Sequence, residues 1–444
     1  MKHSGFMTAL LGFTLLGLVG CGGGGGGQGQ TTSTSTVSTP TSPATTTTIP
    51  SANVAAASNV VPLTIDAGPA AVTPPNTIPS IANLMYVTVT VCEPGTQTCT
   101  AIDHVQVDTG STGLRIVASA LPAGFVLPQR VDANNHALVE CAQFVDGYSW
   151  GPLQTADVQI SGEKASALPI QVIGNSSFNV TPSTCSNVGT ARDTVQSLGA
   201  NGILGVGNGA QDCGSGCLLT NLNGSAQNNL YYSCTAQQSC TTTTVPLNAQ
   251  VQNPISFFPI DNNGSSIVLP TIPSIGATSV NGALIFGIGT QSNNGLGHAV
   301  ALQVDPTAFE LTTQYNGSTY SQSYIDSGTN FYGVPNPTNA IPVCGNNDSD
   351  FFCPAMTLNL TANLVGVNSA STTALFSIAN ASTLFNQNPY FTAFSDLGGL
   401  SETGSSRSTQ TFAWGAPFFF GRTVFTAIEG TTTPTSTATP YVAF

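Results

Sequence analysis

The sequence predicts an all-β fold in two lobes with a cleft between them. Three observations carry this reading. From about residue 61 to residue 444, short apolar or alternating runs are separated by Gly, Asn and Pro, the pattern of strands joined by tight turns. Helical periodicity is almost absent, and its best example is a short stretch at 379–385. Finally, some 380 residues exceed one ordinary core, and one motif occurs once in each half of them.

The chain starts MKHSGFMTALLGFTLLGLVGC. A basic start (Lys2, His3), an apolar run over 6–19 and small residues before Cys21 have the anatomy of a secretory signal, too short to be a spanning helix. Leu18-Val19-Gly20-Cys21 resembles the cleavage box of bacterial lipoproteins. That resemblance implies removal of 1–20, lipidation of Cys21 and, because Gly22 rather than Asp follows, anchoring in the outer membrane. A Gly run and a Thr/Ser/Pro tract come next. They cannot bury enough apolar surface to order themselves, so 21–60 is expected to be a tether. The lobes are expected at 61–250 and 251–444.

Strand candidates lie at 85–91, 100–107, 155–160, 170–173, 266–269, 283–288 and 299–304. Of the 11 cysteines, all but Cys21 form an even set. Cys92/Cys99, Cys213/Cys217, Cys234/Cys240 and Cys344/Cys353 are close couples, and Cys141 and Cys185 are left as a longer-range pair. Short loops of this kind staple hairpins in an oxidising compartment. No CxxC occurs, so neither a metal site nor a cofactor is expected.

Seven Lys and Arg stand against 20 Asp and Glu, a formal net charge of −13. No basic footprint exists to neutralise phosphate, which excludes nucleic acid as a partner. Contact with a membrane would be through the lipid alone, and a monomer is expected.

The repeat carries the chemistry. Val105-Gln106-Val107-Asp108-Thr109-Gly110-Ser111 is a strand running into an Asp-Thr-Gly-Ser turn, and Tyr324-Ile325-Asp326-Ser327-Gly328-Thr329 repeats the design. Each is followed later by apolar residues and a Gly, at 201–205 and again at 412–415. A lone Asp-Thr-Gly-Ser is an ordinary turn, but two in matched contexts indicate duplicated lobes. Two carboxyls held together cannot both ionise; they share a proton and can activate water. The glycines allow close backbone approach, and Ser111 and Thr329 can hydrogen-bond the carboxylates.

In this order of motifs the chain resembles the pepsin-like aspartic proteases. The hairpin YVTVTVCEPGTQTCTAIDHVQVDTGSTGL, the Gly202-Ile203-Leu204-Gly205 element, the strand Gly282-Ala283-Leu284-Ile285-Phe286-Gly287, the second motif and the stretch from Gly415 through Arg422 to Phe425 occur in sequence across most of 84–430. The resemblance implies a bilobal double β-barrel, a peptide or protein ligand in the cleft, and Asp108 and Asp326 as the catalytic pair supported by Thr109, Gly110, Ser111, Ser327, Gly328 and Thr329. Two positions depart from the family pattern. Arg115 stands where a Trp is expected, and Phe144 where the flap carries a Tyr, unless Tyr148 serves in another hairpin register.

Three functions follow: an aspartic endopeptidase on a lipid tether, a non-catalytic binding or inhibitor module keeping the same cleft, or an adhesive surface lipoprotein. Other residues read as structure. Tyr231, Tyr232, Phe257 and Phe258 are expected as packing, Phe418–Phe420 as a buried strand beneath the second Asp, and His104 as an outward-facing strand residue.

Overall fold

Alternating valines and isoleucines close the first half of the chain into a barrel. Six strands form the ring: Met85–Cys92, Cys99–Asp108, Gly202–Val206, Thr112–Val117, Glu163–Ile173 and Gly147–Ile160, the last pairing back to the first. Val87, Val89 and Val91 point inward from the first strand while Thr88 is exposed. Ile102, Val105, Leu114, Val158, Ile170 and Leu204 fill the interior from the others, as a small barrel requires. The structure, a computed structural model, describes residues 59–145, 147–221, 226–236, 239–345, 348–401 and 410–444. The expected signal segment, Cys21 and the tether through residue 58 lie outside them.

The second half repeats the key topology in a seven-stranded sheet. In the first lobe, Cys99–Asp108 runs parallel to Gly202–Val206, which is antiparallel to Thr112–Val117, which is parallel to Glu163–Ile173. In the second, Ser318–Ile325 runs parallel to Ala413–Trp414, which is antiparallel to Tyr332–Val334, which is parallel to Gly398–Leu400. The sequence repeat is thus a repeat of strand order and direction. The molecule is all-β and bilobal, with the pepsin-like arrangement of one Asp-bearing turn per lobe.

A third set of strands joins the lobes. Val60–Ile65 pairs with Met85–Cys92 on one side and with Val280–Phe286 on the other. Gly264–Val268, Thr423–Ala427 and Tyr441–Ala443 continue that sheet. Asn208, just beyond the barrel strand, is a polar latch to it: its side-chain amide donates to the carbonyls of Ala427 (2.8 Å) and Tyr441 (3.1 Å). Its own carbonyl accepts from Glu429 N, and Glu429 returns a carboxylate to Ala210 N. Removing the amide strands two buried carbonyls. Asn208→Ala is therefore expected to cost about 1–3 kcal/mol, read as a lower urea midpoint at unchanged slope; no change in midpoint would show the latch to be idle.

All five cysteine couples are disulfides. Two of them, Cys92–Cys99 and Cys234–Cys240, lie directly opposite each other across hairpins, and Cys141–Cys185 ties the strand Ala137–Phe144 to the short helix Ser183–Ser186. The expected helix occurs as Ala381–Gln387, its N-terminus capped by the Asn380 side chain, which accepts from Thr383 N. Phe418–Phe420 differs from expectation: Ala416–Phe419 is one turn of 3-10 helix. Pro417, at the start of that turn, has its backbone angle preset for it and cannot donate to a sheet ladder.

Candidate active site

Asp108 ends the strand Cys99–Asp108, and Asp326 directly follows the strand Ser318–Ile325. Each emerges where the parallel neighbour strand holds the backbone: Asp108 is opposite Gly205, and Asp326 N donates to Trp414 O at 2.9 Å. The sharp turns that follow are fastened twice. Within each turn, Gly110 N (2.8 Å) and Ser111 Oγ (2.6 Å) donate to the two oxygens of Asp108, while Gly328 N (2.7 Å) and Thr329 Oγ1 (2.8 Å) donate to those of Asp326.

Between turns, the hydroxyls are exchanged. Thr109 N donates to Ser327 Oγ (3.0 Å) and Ser327 N to Thr109 Oγ1 (2.9 Å). Each hydroxyl then donates to the strand beneath the opposite Asp, Thr109 Oγ1 to Ile325 O and Ser327 Oγ to Val107 O. The two lobes are locked into register at the Asp pair itself. Glycine is required at both turns by close approach. A Cβ on Gly110 would stand 2.6 Å from Asp326 Cγ, and one on Gly328 would stand 2.5 Å from Asp108 Oδ1. All eight motif residues named from the sequence therefore meet in one place.

A Cβ on Gly328 would also stand 3.1 Å from Asp326 Oδ1, so the two carboxyls lie side by side, and carboxyls so placed cannot both ionise. Both are fully buried. Burial raises Asp108 above the ordinary carboxylate range, opposed by its hydrogen bonds from Ser111 and Asp326 and by the charge of Arg115. Asp326 is raised much further, by burial first and then by the negative charge of Asp108.

Beside the pair lies a cavity of about 330 Å³ lined from both halves of the chain. Gly110 and Ser111 border it, Ala142 and Phe144 come from the hairpin of Ala137–Phe144 and Gly147–Ile160, and Phe309 and Leu311 face them from the second lobe. In that hairpin Phe144 pairs with Gly147 and Gln143 with Tyr148. Phe144 therefore faces the cavity. Tyr148 is turned to the other side, packed with Trp150, Cys141 and Tyr232.

Arg115 is buried in the cavity wall. Its Nη2 donates to Glu140 Oε1 (2.6 Å) and Asp212 Oδ2 (3.3 Å), and its Nη1 to Thr112 O (2.8 Å). Tyr231 Oη donates to Asp212 Oδ1 at 2.6 Å. Glu140 and Asp212 were not singled out in the sequence. The available signal was an acid inside an apolar strand, Leu138-Val139-Glu140-Cys141, in a chain with 20 acidic residues, since a charge there must find a partner.

His104 lies outside the cavity wall, partly exposed, between Asp66 (3.4 Å) and Asp103 (3.0 Å). Tyr231 and Tyr232 are buried, and Phe258 packs on Phe286 while Phe257 is exposed. Among the described residues, no cluster of three or more His, Cys, Asp or Glu could hold a metal, and no helix is long and apolar enough to cross a membrane.

No curated protein matches the chain. Among solved structures it is similar to the aspartic proteinase from Irpex lacteus, with a TM-score of 0.45 and 15% sequence identity over 86% of this chain and 96% of that one. A family model described as "Protein of unknown function (DUF3443)" matches residues 55–444. The chain belongs to the DUF3443 family, whose function is unknown.

Proposed function

We propose that the protein is an aspartic endopeptidase in which Asp108 and Asp326 activate water for peptide hydrolysis. One observation carries this reading: two buried carboxyls side by side, each fixed by its own turn, next to a cavity lined from both lobes. The ionised Asp108 takes a proton from water as the oxygen attacks the peptide carbonyl carbon, and the proton on Asp326 passes to the carbonyl oxygen. Collapse of the tetrahedral species breaks the C–N bond. The leaving nitrogen takes the proton that Asp108 holds, and the hydroxyl returns its proton to Asp326. The apolar walls at Ala142, Phe144, Phe309 and Leu311 suit an apolar substrate side chain.

A second reading, a binding or inhibitor module without catalysis, is favoured by two facts. Neither carboxyl exposes surface to solvent, and the flap side chain on the cavity is Phe144, which has no hydroxyl to donate to a bound peptide. The two readings part on one experiment. The full chain is incubated with a mixed peptide library across about pH 3 to 7, with and without a statine-containing peptide. Cleavage suppressed by the statine supports the peptidase; statine binding without cleavage supports the module; neither outcome sinks both.

The N-terminal features complete the proposal. Cys21 carries lipid, the chain from there to residue 58 tethers the lobes, Asn59 and Val60 already belonging to the fold, and the monomeric lobes work outside the cytoplasm at the outer membrane. Its support is the signal-like leader, the lipoprotein-like box and five disulfides. Incorporation of labelled palmitate checks it: wild-type chain should take up label and Cys21→Ser should not, and label in Cys21→Ser overturns the assignment.

A further inference from the structure

Three elements of the cavity wall meet at one guanidinium. Arg115 comes from the strand after the first Asp turn, Glu140 from the flap strand, and Asp212 from the loop that follows Gly202–Val206. Arg115 and Glu140 are 3% and 0% exposed, so the contact is made away from water. The cluster holds one cation against two carboxyls. Burial, and after it the charge of Glu140, push the Asp212 carboxyl well above its ordinary range. Burial works against the charge of Arg115, and the neighbouring Glu140 and Asp212 more than restore it. Glu140 Oε2 receives no bond from any N–H or hydroxyl among the described residues, nor does Arg115 Nε find an acceptor.

Such a cluster is a poor device for stability alone. Apolar side chains of similar volume would close the same wall without the cost of burying charge. What apolar packing would not supply is direction. A guanidinium holding a carboxylate at 2.6 Å fixes where the flap strand sits relative to the strand beneath the Asp pair.

We infer that Arg115 is a positioning residue of the cleft: through Glu140 it anchors the flap strand to the strand that follows the first Asp turn. This rests on the peptidase reading above. Asp212, itself held by the Tyr231 hydroxyl, takes the second bond from the same guanidinium. Three forms of the full chain test the assignment beside wild type: Arg115→Gln, Arg115→Lys, and the apolar triple Arg115→Met/Glu140→Leu/Asp212→Leu. The triple guards against simple misfolding, since it leaves no unpaired buried charge.

Arg115→Gln should lower kcat/KM about a hundredfold, chiefly by raising KM. Arg115→Lys should keep KM high, since an ammonium restores the charge but not the fork. Amide exchange over 137–144 and 147–153 should quicken about tenfold in Arg115→Gln and in the triple. A triple variant that folds with wild-type KM and exchange would overturn the inference and leave the cluster purely structural. Should wild type cleave no peptide, the peptidase reading falls by itself, and exchange decides the anchor: unchanged rates in Arg115→Gln sink it.

Discussion

Asp326→Asn is expected to abolish peptide cleavage while making the folded chain more stable at neutral pH. The loss of rate should be about a thousandfold, the order that a positioned acid contributes. Asn fits the same turn. Its carbonyl accepts from Gly328 N and its amide can donate to the Thr329 hydroxyl, which rotates to suit. What disappears is the transferable proton.

The stability gain follows from the direction of the Asp326 shift. Its carboxyl binds a proton more tightly in the folded chain than in the unfolded one. That contribution to stability is fully present below the ordinary carboxylate value of about 3.9, and it is lost as pH rises toward the raised folded value. Asn has no proton to lose. Melting curves of wild type and Asp326→Asn should therefore diverge on going from acid to neutral pH, with the variant the more stable at the neutral end. A variant that melts lower at neutral pH would mean that the pair does not share a proton, and cleavage at the wild-type rate would remove Asp326 from the mechanism.

Trp414→Ala should be the most damaging single substitution for the fold, costing about 3–5 kcal/mol. Trp414 is fully buried directly behind the second Asp turn. Phe412 stacks on it at 4.5 Å, and Phe376, Phe418 and Tyr332 meet it at 5.1, 5.2 and 5.9 Å. Its indole N–H donates to the buried Thr313 hydroxyl at 3.0 Å. Truncation leaves a void among four aromatic rings and an unpaired hydroxyl. Urea denaturation measures the loss; a change below about 1 kcal/mol would show that the aromatic cluster collapses around the gap. Trp414→Phe should cost less, keeping much of the ring contact but leaving Thr313 without its donor.

The duplicated turns could be read in the sequence because their requirements are local. Asp, a small residue, Gly and a hydroxyl must be consecutive for a carboxyl to be gripped by its own turn, so Asp108–Ser111 and Asp326–Thr329 announce themselves. The alternation in 85–91 was legible for the same reason, and the strand there is Met85–Cys92. Cysteine spacing was equally local for the hairpin couples.

Features that depend on distant partners were not legible. The strand Thr112–Val117 was missed because Gly113, at a φ of 97°, and Arg115 break the pattern of a strand that is nonetheless buried throughout. Glu140 and Asp212 lie 25 and 97 positions from Arg115, and no spacing rule joins them. The flap register that turns Phe144 inward and Tyr148 outward is set by the pairing of Phe144 with Gly147, which counting from Gly151 alone left open. Thr109 and Ser327 were named as support for the pair, but their actual partners lie on the other lobe.

That hydroxyl exchange makes the Asp pair an association within a single chain. Neither lobe contains half a working site, because each turn is finished by an oxygen and a strand carbonyl from the other. The local concentration of one turn around the other is set by the joining sheet, with Val60–Ile65 pairing into strands of both halves. Severing the connection between the lobes would turn this first-order contact into a second-order one. Activity per molecule would then climb with protein concentration, as it does for an enzyme whose active site forms between two subunits.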